Sequence, residues 1–264
     1  MLTSTETDYT VFKRAVAPLV PLRLDLYKDG QMERRIRDLA RKHGAGTLRD
    51  FVTMLRANRE LLWQFEQHLT INVSECYRNP ESFDHLVTVV IPELRRATRQ
   101  LRVWSAGCSY GAEPYTLAML LHDVDSSASQ TIHATDIDRE ILARARTGAG
   151  FSREDIMRLP RRLRERYVSV DGPPYTIARQ IIPMVRFERH DVLQDPAPGT
   201  FDLITCRNVV IYFTDKAKQD LYRTLAGALR PGGYLFIGAT EVISGAAGFG
   251  LRYTAPCFYQ RVER

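Results

Sequence analysis

The chain predicts a small helical domain followed by a doubly wound α/β domain that carries a small antiparallel β insertion. Three observations predict it. Residues 1–95 show almost wholly helical patterning. From Leu101 onward, short apolar runs alternate with helical stretches, the order that builds a parallel sheet covered by helices. The first of these units, LRVWSAGCSYGAEPYTLAMLL over Leu101–Leu121, joins a strand, a tight glycine loop and an apolar helix.

In the front part, Asp8 to Leu19 reads as a first helix and Leu26 to His43 as a second, stopped by Gly44 and Gly46. Thr47 caps a third that runs to Arg56, a fourth runs from Arg59 to about Thr70, and a fifth from Pro80 to Leu94. On the second helix Arg34, Arg37 and Arg41 share one face at helical spacing, while Met32, Ile36 and Leu39 lie on another. Such a positive stripe is either simply solvated or a dock for an acidic helix or phosphates. The polar stretch NVSECYRNP, Asn72 to Pro80, follows, and its proline prevents the helix continuing through it. From its composition alone it is an interdomain loop with an exposed Arg78. The expected division is a helical domain with linker over 1–79 and an α/β domain over 80–264.

In the glycine-loop unit, Leu101, Val103 and Trp104 suit a buried strand, Gly107 and Gly111 bracket the loop, and Pro114 suits a first helical position. Glycine at 107 leaves the backbone free to close on a ligand. The loop departs from the dinucleotide fingerprint. No Lys or Arg falls between Val103 and Leu121, and Glu113 does. A diphosphate favours helix N-terminal amides and positive charge. An acidic loop suits instead a ligand with positive charge and ribose hydroxyls, such as S-adenosylmethionine. The next strand, Thr131–Thr135, ends in Asp136-Ile137-Asp138. A carboxylate at the end of a second strand is placed to accept from ribose hydroxyls, the role expected of Asp136. Asp138, directly before a helix through Arg146, is expected to cap it.

That helix ends at Gly148, and Ser152 to Arg166 reads as one or two short basic helices. Val168–Val170, Tyr175–Ala178 and Met184–Glu188 read as short strands of the insertion, about 167–190, interrupted by DGPP at 171–174. Asp191-Val192 then precedes the Pro/Gly-rich loop Asp195–Thr200. Phe201–Cys206 is a core strand ending in Arg207-Asn208, followed by VVIYF to Phe213 and a helix capped by Thr214. Pro231-Gly232-Gly233 turns into the strand Tyr234–Ile237. Two last strands, around Leu251–Tyr253 and Cys257–Arg261, form an antiparallel hairpin that gives the sheet one reversed edge strand.

Composition excludes several classes. At 44% hydrophobic and 26% charged the chain is that of an ordinary soluble protein, and its apolar runs are too short to span a bilayer. Its opening residues lack the basic start and apolar core of a signal peptide, so cytoplasmic localisation is expected. The 4 cysteines are scattered without a C-x-x-C pair and read as reduced thiols. Cys108 and Cys206 read as small lining residues rather than nucleophiles. The 6 histidines form no ligand spacing, so no metal is expected. A net charge of +6 favours an acidic partner, either nucleic acid or an acidic protein surface. GPPY at 172–175 is similar to the Asp/Asn-Pro-Pro-Tyr loop of amino-group nucleic-acid methyltransferases. Here its first position is glycine, which has no acceptor, and it lies in the insertion, so it is set aside.

Several blocks in order resemble the CheR-type chemotaxis receptor glutamate methyltransferases: WSAGCSYGAEPYTLAMLL, ATDID, FDLITCRNVVIYF and LRPGGYLFIGATEVI. TINVSECYRNPESF resembles the linker motif of that family, and the resemblance runs from Tyr9 to Tyr259. The family usually carries Thr and Glu where Tyr110 and Ala112 stand, two Phe where Cys76 and Tyr77 stand, and often Asn where Asp191 stands.

The resemblance implies a Rossmann-like, S-adenosylmethionine-dependent methyltransferase fold. It implies S-adenosyl-L-methionine as donor, S-adenosyl-L-homocysteine as product, and receptor glutamates as acceptors. It also implies that Asn72, Ser74 and Arg78 face cofactor and acceptor, with Gly107, Glu113 and Asp136 at the cofactor. Asp191 and Val192 would flank the adenine, and Arg207, Asn208 and Tyr212 would line the reaction site. Arg78 and Tyr212 are the expected catalytic pair. The implied partner is the cytoplasmic domain of a methyl-accepting chemoreceptor, met by Arg34, Arg37 and Arg41. Nucleic acid and direct membrane insertion are not expected, and a monomer is. The rival readings are a non-catalytic cofactor-binding signalling module and, behind it, a nucleic-acid methyltransferase.

Overall fold

The computed structural model describes residues 7–128, 130–169 and 171–262. Its contacts divide the chain into two units, Met1–Ile71 with Tyr212–Lys218, and Asn72–Ile211 with Gln219–Arg264.

The first unit is built on four helices: α1 (Asp8–Val16), α2 (Asp29–Lys42), α3 (Leu48–Ala57) and α4 (Arg59–Leu69). Their starts follow local chemistry. Thr47 and Asp50 form a reciprocal capping box on α3, and Asn58 accepts from the Leu61 N–H at the start of α4. Phe12, Phe51 and Phe65 are fully buried and pack as a triad, with ring centroids 5.7–6.3 Å apart. On α2 the buried side is Met32, Ile36, Leu39 and Ala40, as the periodicity predicts. The segment Tyr212–Lys218 joins this unit through its backbone. Lys28 N–H donates to the Tyr212 carbonyl and Thr214 N–H to that of Leu26, both at 2.9 Å.

The second unit opens with α5 (Pro80–His85) and α6 (Ile91–Ala97), joined by one π-helical turn. The elements that follow are β1 (Arg102–Ala106), α7 (Ala112–Val124), β2 (Thr131–Asp136) and α8 (Arg139–Arg146). Then come β3 (Ala149–Phe151), α9 (Arg153–Met157), α10 (Arg161–Tyr167), β4 (Tyr175–Thr176), β5 (Val185–Arg189) and β6 (Phe201–Cys206). The chain closes with α11 (Asp215–Ala228), β7 (Leu229–Ile237), β8 (Leu251–Ala255) and β9 (Phe258–Arg261). The opening turn of α11 counts with the first unit. A seven-stranded sheet has the order β5-β2-β1-β6-β7-β9-β8, parallel from β5 to β7. β6 is buried at every position, as expected of a central parallel strand. Its one carboxylate, Asp202, is satisfied by the Arg102 N–H at 2.7 Å and by Arg230 at 3.0 Å.

Three sequence expectations need correction. The run Met184–Glu188 does not belong to the insertion: Val185–Arg189 is the outer strand of the main sheet, parallel to β2. Its alternating burial is that of an edge strand, which sequence cannot assign to one sheet or another. The insertion proper pairs β4 with β3, a strand too short and glycine-rich to be predicted, and adds a bridge from Val168 to Ile177. Val170 lies outside the described residues.

The reversed strand of the terminal hairpin, β9, is not at the edge but between β7 and β8. Its Phe258 and Tyr259 are buried, whereas Arg252, Tyr253 and Thr254 of β8 are exposed, so the more apolar strand takes the inner place. Pro114 is the third residue of α7, not the first, because the helix starts at Ala112 behind Gly111 in the left-handed conformation. The N–H that proline lacks is still among the first four, which have no partner within the helix.

Candidate active site

The chain runs outward from β1 through β2 to β5, then returns to continue with β6 and β7 on the other side of β1. The C-terminal ends of β1, β2 and β6 flank this switch point, where doubly wound sheets bind ligands. The residues gathered there come from the glycine loop, the end of β2, the turn after β6 and the linker Asn72–Asn79.

The glycine loop folds back against β2. The N–H groups of Gly107 and Cys108 both donate to the Thr135 carbonyl, at 2.8 and 2.9 Å. Gly107 has φ +79°, and a Cβ there would lie 2.5 Å from Val209 Cγ2, so the position requires glycine. Asp136 accepts the Ser109 N–H on Oδ2 at 2.8 Å and the Asp138 N–H on Oδ1 at 3.1 Å, which leaves each oxygen a further lone pair. Burial raises its pKa above the ordinary aspartate value, against the pull of those N–H groups. Asp138 caps α8 by accepting from Glu140 and Ile141, the role the sequence assigned it.

Glu113, in the first turn of α7, is held from three sides. Ser105 donates to Oε1 at 2.9 Å, Thr205 donates to the same oxygen, and Arg207 Nη1 lies 3.3 Å from Oε2. The Arg207 side chain is 2% exposed and packs between Phe83 and Phe236, with its guanidinium carbon 5.1 and 4.3 Å from the ring centroids. Its Nη2 donates to the Arg78 carbonyl at 2.7 Å and to Asn79 Oδ1 at 3.0 Å. Arg207 therefore reaches the linker through its backbone and leaves the Arg78 side chain half-buried, in a loose 3.8 Å contact with Glu75. The other carboxylate oxygen of Glu75 is taken by Arg158 at 2.9 Å.

The rest of the linker is pinned as firmly. Asn72 donates to Asp138 Oδ2 at 2.8 Å and accepts from the Ser109 hydroxyl at 3.3 Å. The Ser74 carbonyl accepts from the Tyr110 hydroxyl, and Tyr77 N–H donates to Thr116 Oγ1 at 3.2 Å. Asp191 is buried and closes its own turn: its carboxylate accepts from Leu193 N–H at 2.9 Å and from the Gln194 amide. Val192 follows in that turn. Tyr212 is carried by the first unit through its carbonyl. Arg34 and Arg41 are exposed on α2, while Arg37 pairs with Glu33 and Asp8, and Arg41 also with Asp38.

One buried acid escaped the sequence reading. Glu241 is 8% exposed and accepts the Gly238 N–H on Oε2 at 2.6 Å. A Cβ at Gly238 would lie 2.8 Å from Glu241 Oε2 and 3.0 Å from the Asn208 nitrogen, so glycine is required where β7 ends. Asn208 itself has φ +58°. Among the described residues, its Oδ1 and Glu241 Oε1 are both buried without a partner. The available signal was a lone acid in the apolar run FIGATEVI. Cys108 and Cys206 are buried, and burial pushes both thiols well above their ordinary pKa, which removes them as nucleophiles.

Residues 7–70 match the family described as the CheR methyltransferase all-alpha domain, and residues 72–250 match the CheR methyltransferase SAM binding domain. The chain belongs to the CheR methyltransferase family. It is 40% identical over 260 residues to the "Chemotaxis protein methyltransferase" of Listeria monocytogenes, covering 98% of this chain and 99% of that one. It is 32% identical over 244 residues to the protein of the same name from Escherichia coli K12, covering 89% and 82% of the two chains. To "Chemotaxis protein methyltransferase 1" of Pseudomonas aeruginosa it is 30% identical over 262 residues, covering 92% and 93%. As a CheR-type methyltransferase the chain is S-adenosylmethionine-dependent, and its switch point suits that cofactor. Gly107 closes against Val209, Glu113 stands in the first turn of α7 and Asp136 at the end of β2, and among the described residues the Asn208 Oδ1 is buried without a partner. Among the described residues no helix is long and apolar enough to cross a membrane.

Proposed function

We propose that this CheR methyltransferase transfers the methyl group of S-adenosylmethionine to the side-chain carboxylates of specific glutamates on the cytoplasmic helices of a chemoreceptor, in the cytoplasm. The products are glutamate methyl esters and S-adenosylhomocysteine. The observation that carries the reading is the posture of Arg78. Its backbone is clamped by buried Arg207 while its half-buried guanidinium has, among the described residues, a loose acidic neighbour at 3.8 Å and is left to meet a substrate carboxylate. The names of the relatives support a chemotaxis substrate.

The chemistry asks little of the protein. A glutamate with a pKa of about 4.3 is already a carboxylate at neutral pH, so no general base is needed. When bound, S-adenosylmethionine supplies a sulfonium-activated methyl group. The chain's work is to align the acceptor for in-line displacement and to exclude water. Asp136 would hold the cofactor's ribose hydroxyls as an acceptor, and Glu113, already held by Ser105, Thr205 and Arg207, would stand toward its positive end. Asn72 and Ser74 would hold it from the linker, and Asp191 and Val192 would hold the adenine. Arg207 and Asn208 shape the floor. Arg78 and Tyr212 orient the acceptor carboxylate by hydrogen bonding without neutralising it. Arg34, Arg37 and Arg41 meet the acidic face of the receptor helix.

Methyl transfer from radiolabelled S-adenosylmethionine to a receptor cytoplasmic fragment tests this, scored as methanol released by alkali. Base-labile label on the fragment is the expected result. Cofactor binding with no label on the fragment supports the signalling-module reading, and alkali-stable label on RNA or DNA supports the nucleic-acid one. Either outcome overturns the proposal.

A further inference from the structure

We propose that Tyr110 is a positioning residue, whose hydroxyl clasps the linker Asn72–Asn79 to the glycine loop and so sets where Arg78 stands. The inference rests on the role given to Arg78 above.

Tyr110 sits inside the glycine loop between Gly107 and Gly111 and is 7% exposed. Its hydroxyl lies between two acceptors, the Ser74 carbonyl of the linker and Asp155 Oδ1 of α9, the latter at 2.7 Å. Asp155 is itself a linker anchor. Its carbonyl accepts the Cys76 N–H at 3.0 Å, and its other carboxylate oxygen is held by the Ser152 N–H at 2.8 Å. One tyrosine–aspartate pair thus fixes the linker at both Ser74 and Cys76, two residues short of the point where Arg207 takes the Arg78 carbonyl. The ring is fixed from outside the linker, with the Arg144 guanidinium 4.5 Å from its centroid and Phe151 at 6.0 Å. Burial and the Asp155 carboxylate keep the hydroxyl protonated, so it remains a donor across the working pH range.

Ser109 and Tyr110 divide two duties within one loop, although the Ser109 hydroxyl also reaches the linker at Asn72. Ser109, next to Tyr110, gives its N–H to Asp136, which faces the cofactor's side of the site. Tyr110 turns the other way, toward the linker. Deleting its hydroxyl leaves the Gly107, Cys108 and Ser109 backbone bonds in place, while the Ser74 carbonyl loses its donor. A change confined to the linker should therefore reach the step in which Arg78 acts most strongly, and cofactor binding, through Ser74, more weakly.

The test compares wild type with Tyr110→Phe by two independent readouts. Amide hydrogen exchange of the cofactor-free protein needs no substrate, and residues 74–78 of the variant are expected to exchange about tenfold faster. In methyl transfer to the receptor fragment, kcat is expected to fall about fivefold or more while KM for S-adenosylmethionine, reached only through Ser74, rises by clearly less, about threefold at most. Unchanged exchange over 74–78 overturns the clasp. Faster exchange with unchanged kcat overturns its bearing on Arg78. Equal losses in kcat, cofactor affinity and Tm reduce Tyr110 to packing and also overturn it. A wild type that labels no carboxylate defeats the proposed function instead, and the exchange readout still decides the clasp.

Discussion

The buried guanidinium of Arg207 lies 3.3 Å from the Glu113 carboxylate and 2.7 Å from the Arg78 carbonyl, so one side chain from the end of β6 joins α7 to the linker. Removing one partner of a buried ion pair leaves the other charge uncompensated, at a cost of about 3–5 kcal/mol. Arg207→Met should lower the stability of the second unit by that amount. In a Trp63→Phe background, urea unfolding followed by Trp104 fluorescence reads that unit alone, because Trp104 is fully buried in β1. Arg207→Lys keeps the charge but lacks the planar fork that serves three acceptors, and should recover only part of the loss.

The Arg78 side chain contributes none of the bonds to Arg207, because its carbonyl accepts instead. Arg78→Ala should therefore leave Tm within a few degrees while cutting kcat about 100-fold, the scale of loss when a reacting group is no longer aligned. Steady-state kinetics on the receptor fragment, with a melting curve, separates the two effects. Near-normal turnover would sink the assigned role.

The fold was legible wherever the decisive contacts are local. Thr47 and Asp138 announced their helices through side chains that bond within three residues. The face of α2 followed from a spacing of three and four. The place of Asp136 at the end of β2 was legible because a strand, a turn and a helix are consecutive in the chain. What escaped depends on residues far apart in sequence. Arg207 read as a polar residue lining a site, but its partners Glu113 and Asn79 are 94 and 128 positions away and turn it inward. Glu241 binds the end of β7 close to Asn208, and nothing near it in sequence marks that burial. The placement of Val185–Arg189 beside β2 rests on a pairing across about fifty residues, which alternation cannot reveal.

Gly107→Ala should weaken S-adenosylmethionine binding about tenfold or more. An L-residue held at positive φ costs about 1–2 kcal/mol, and the new methyl carbon would meet Val209 Cγ2 at 2.5 Å. Valine is stiff at χ1 and cannot swing aside cheaply. Adding Val209→Ala should restore the steric part of the loss and leave the conformational part. Calorimetric titration of the three variants checks this, and wild-type affinity in Gly107→Ala would exclude the loop from the cofactor site.

Burial raises the Glu241 pKa above its ordinary 4.5, so the native state binds a proton more tightly than the unfolded chain. Stability contributed by this group therefore falls as pH rises from the ordinary value through the raised one, then levels off. Glu241→Gln keeps an acceptor for the Gly238 N–H and removes the titration. Relative to wild type it should be more stable at neutral pH, by about 1.4 kcal/mol for each tenfold change in proton affinity, and the gap should close below pH ~4. Urea midpoints of both proteins across that range read the difference. A gap that widened toward acid would contradict the assignment.

The basic face of α2 carries the receptor-binding proposal, and its ion pairs do not forbid it. Arg41 is 74% exposed in its pair with Asp38, and Arg37 is 40% exposed beside Glu33 and Asp8. Surface pairs of this kind are worth about 0–1 kcal/mol, so an acidic helix can displace them at little cost. Met32, Ile36 and Leu39 hold the helix from its other side, so charge reversal at Arg34 and Arg41 should leave the fold unchanged. Arg34→Glu with Arg41→Glu should raise KM for the receptor fragment about tenfold with kcat nearly constant. The defect should shrink as salt rises, since screening weakens the wild-type attraction and the variant's repulsion alike. Initial rates at limiting fragment, across a salt series, make the measurement. An unchanged rate at low salt would place receptor docking on another surface.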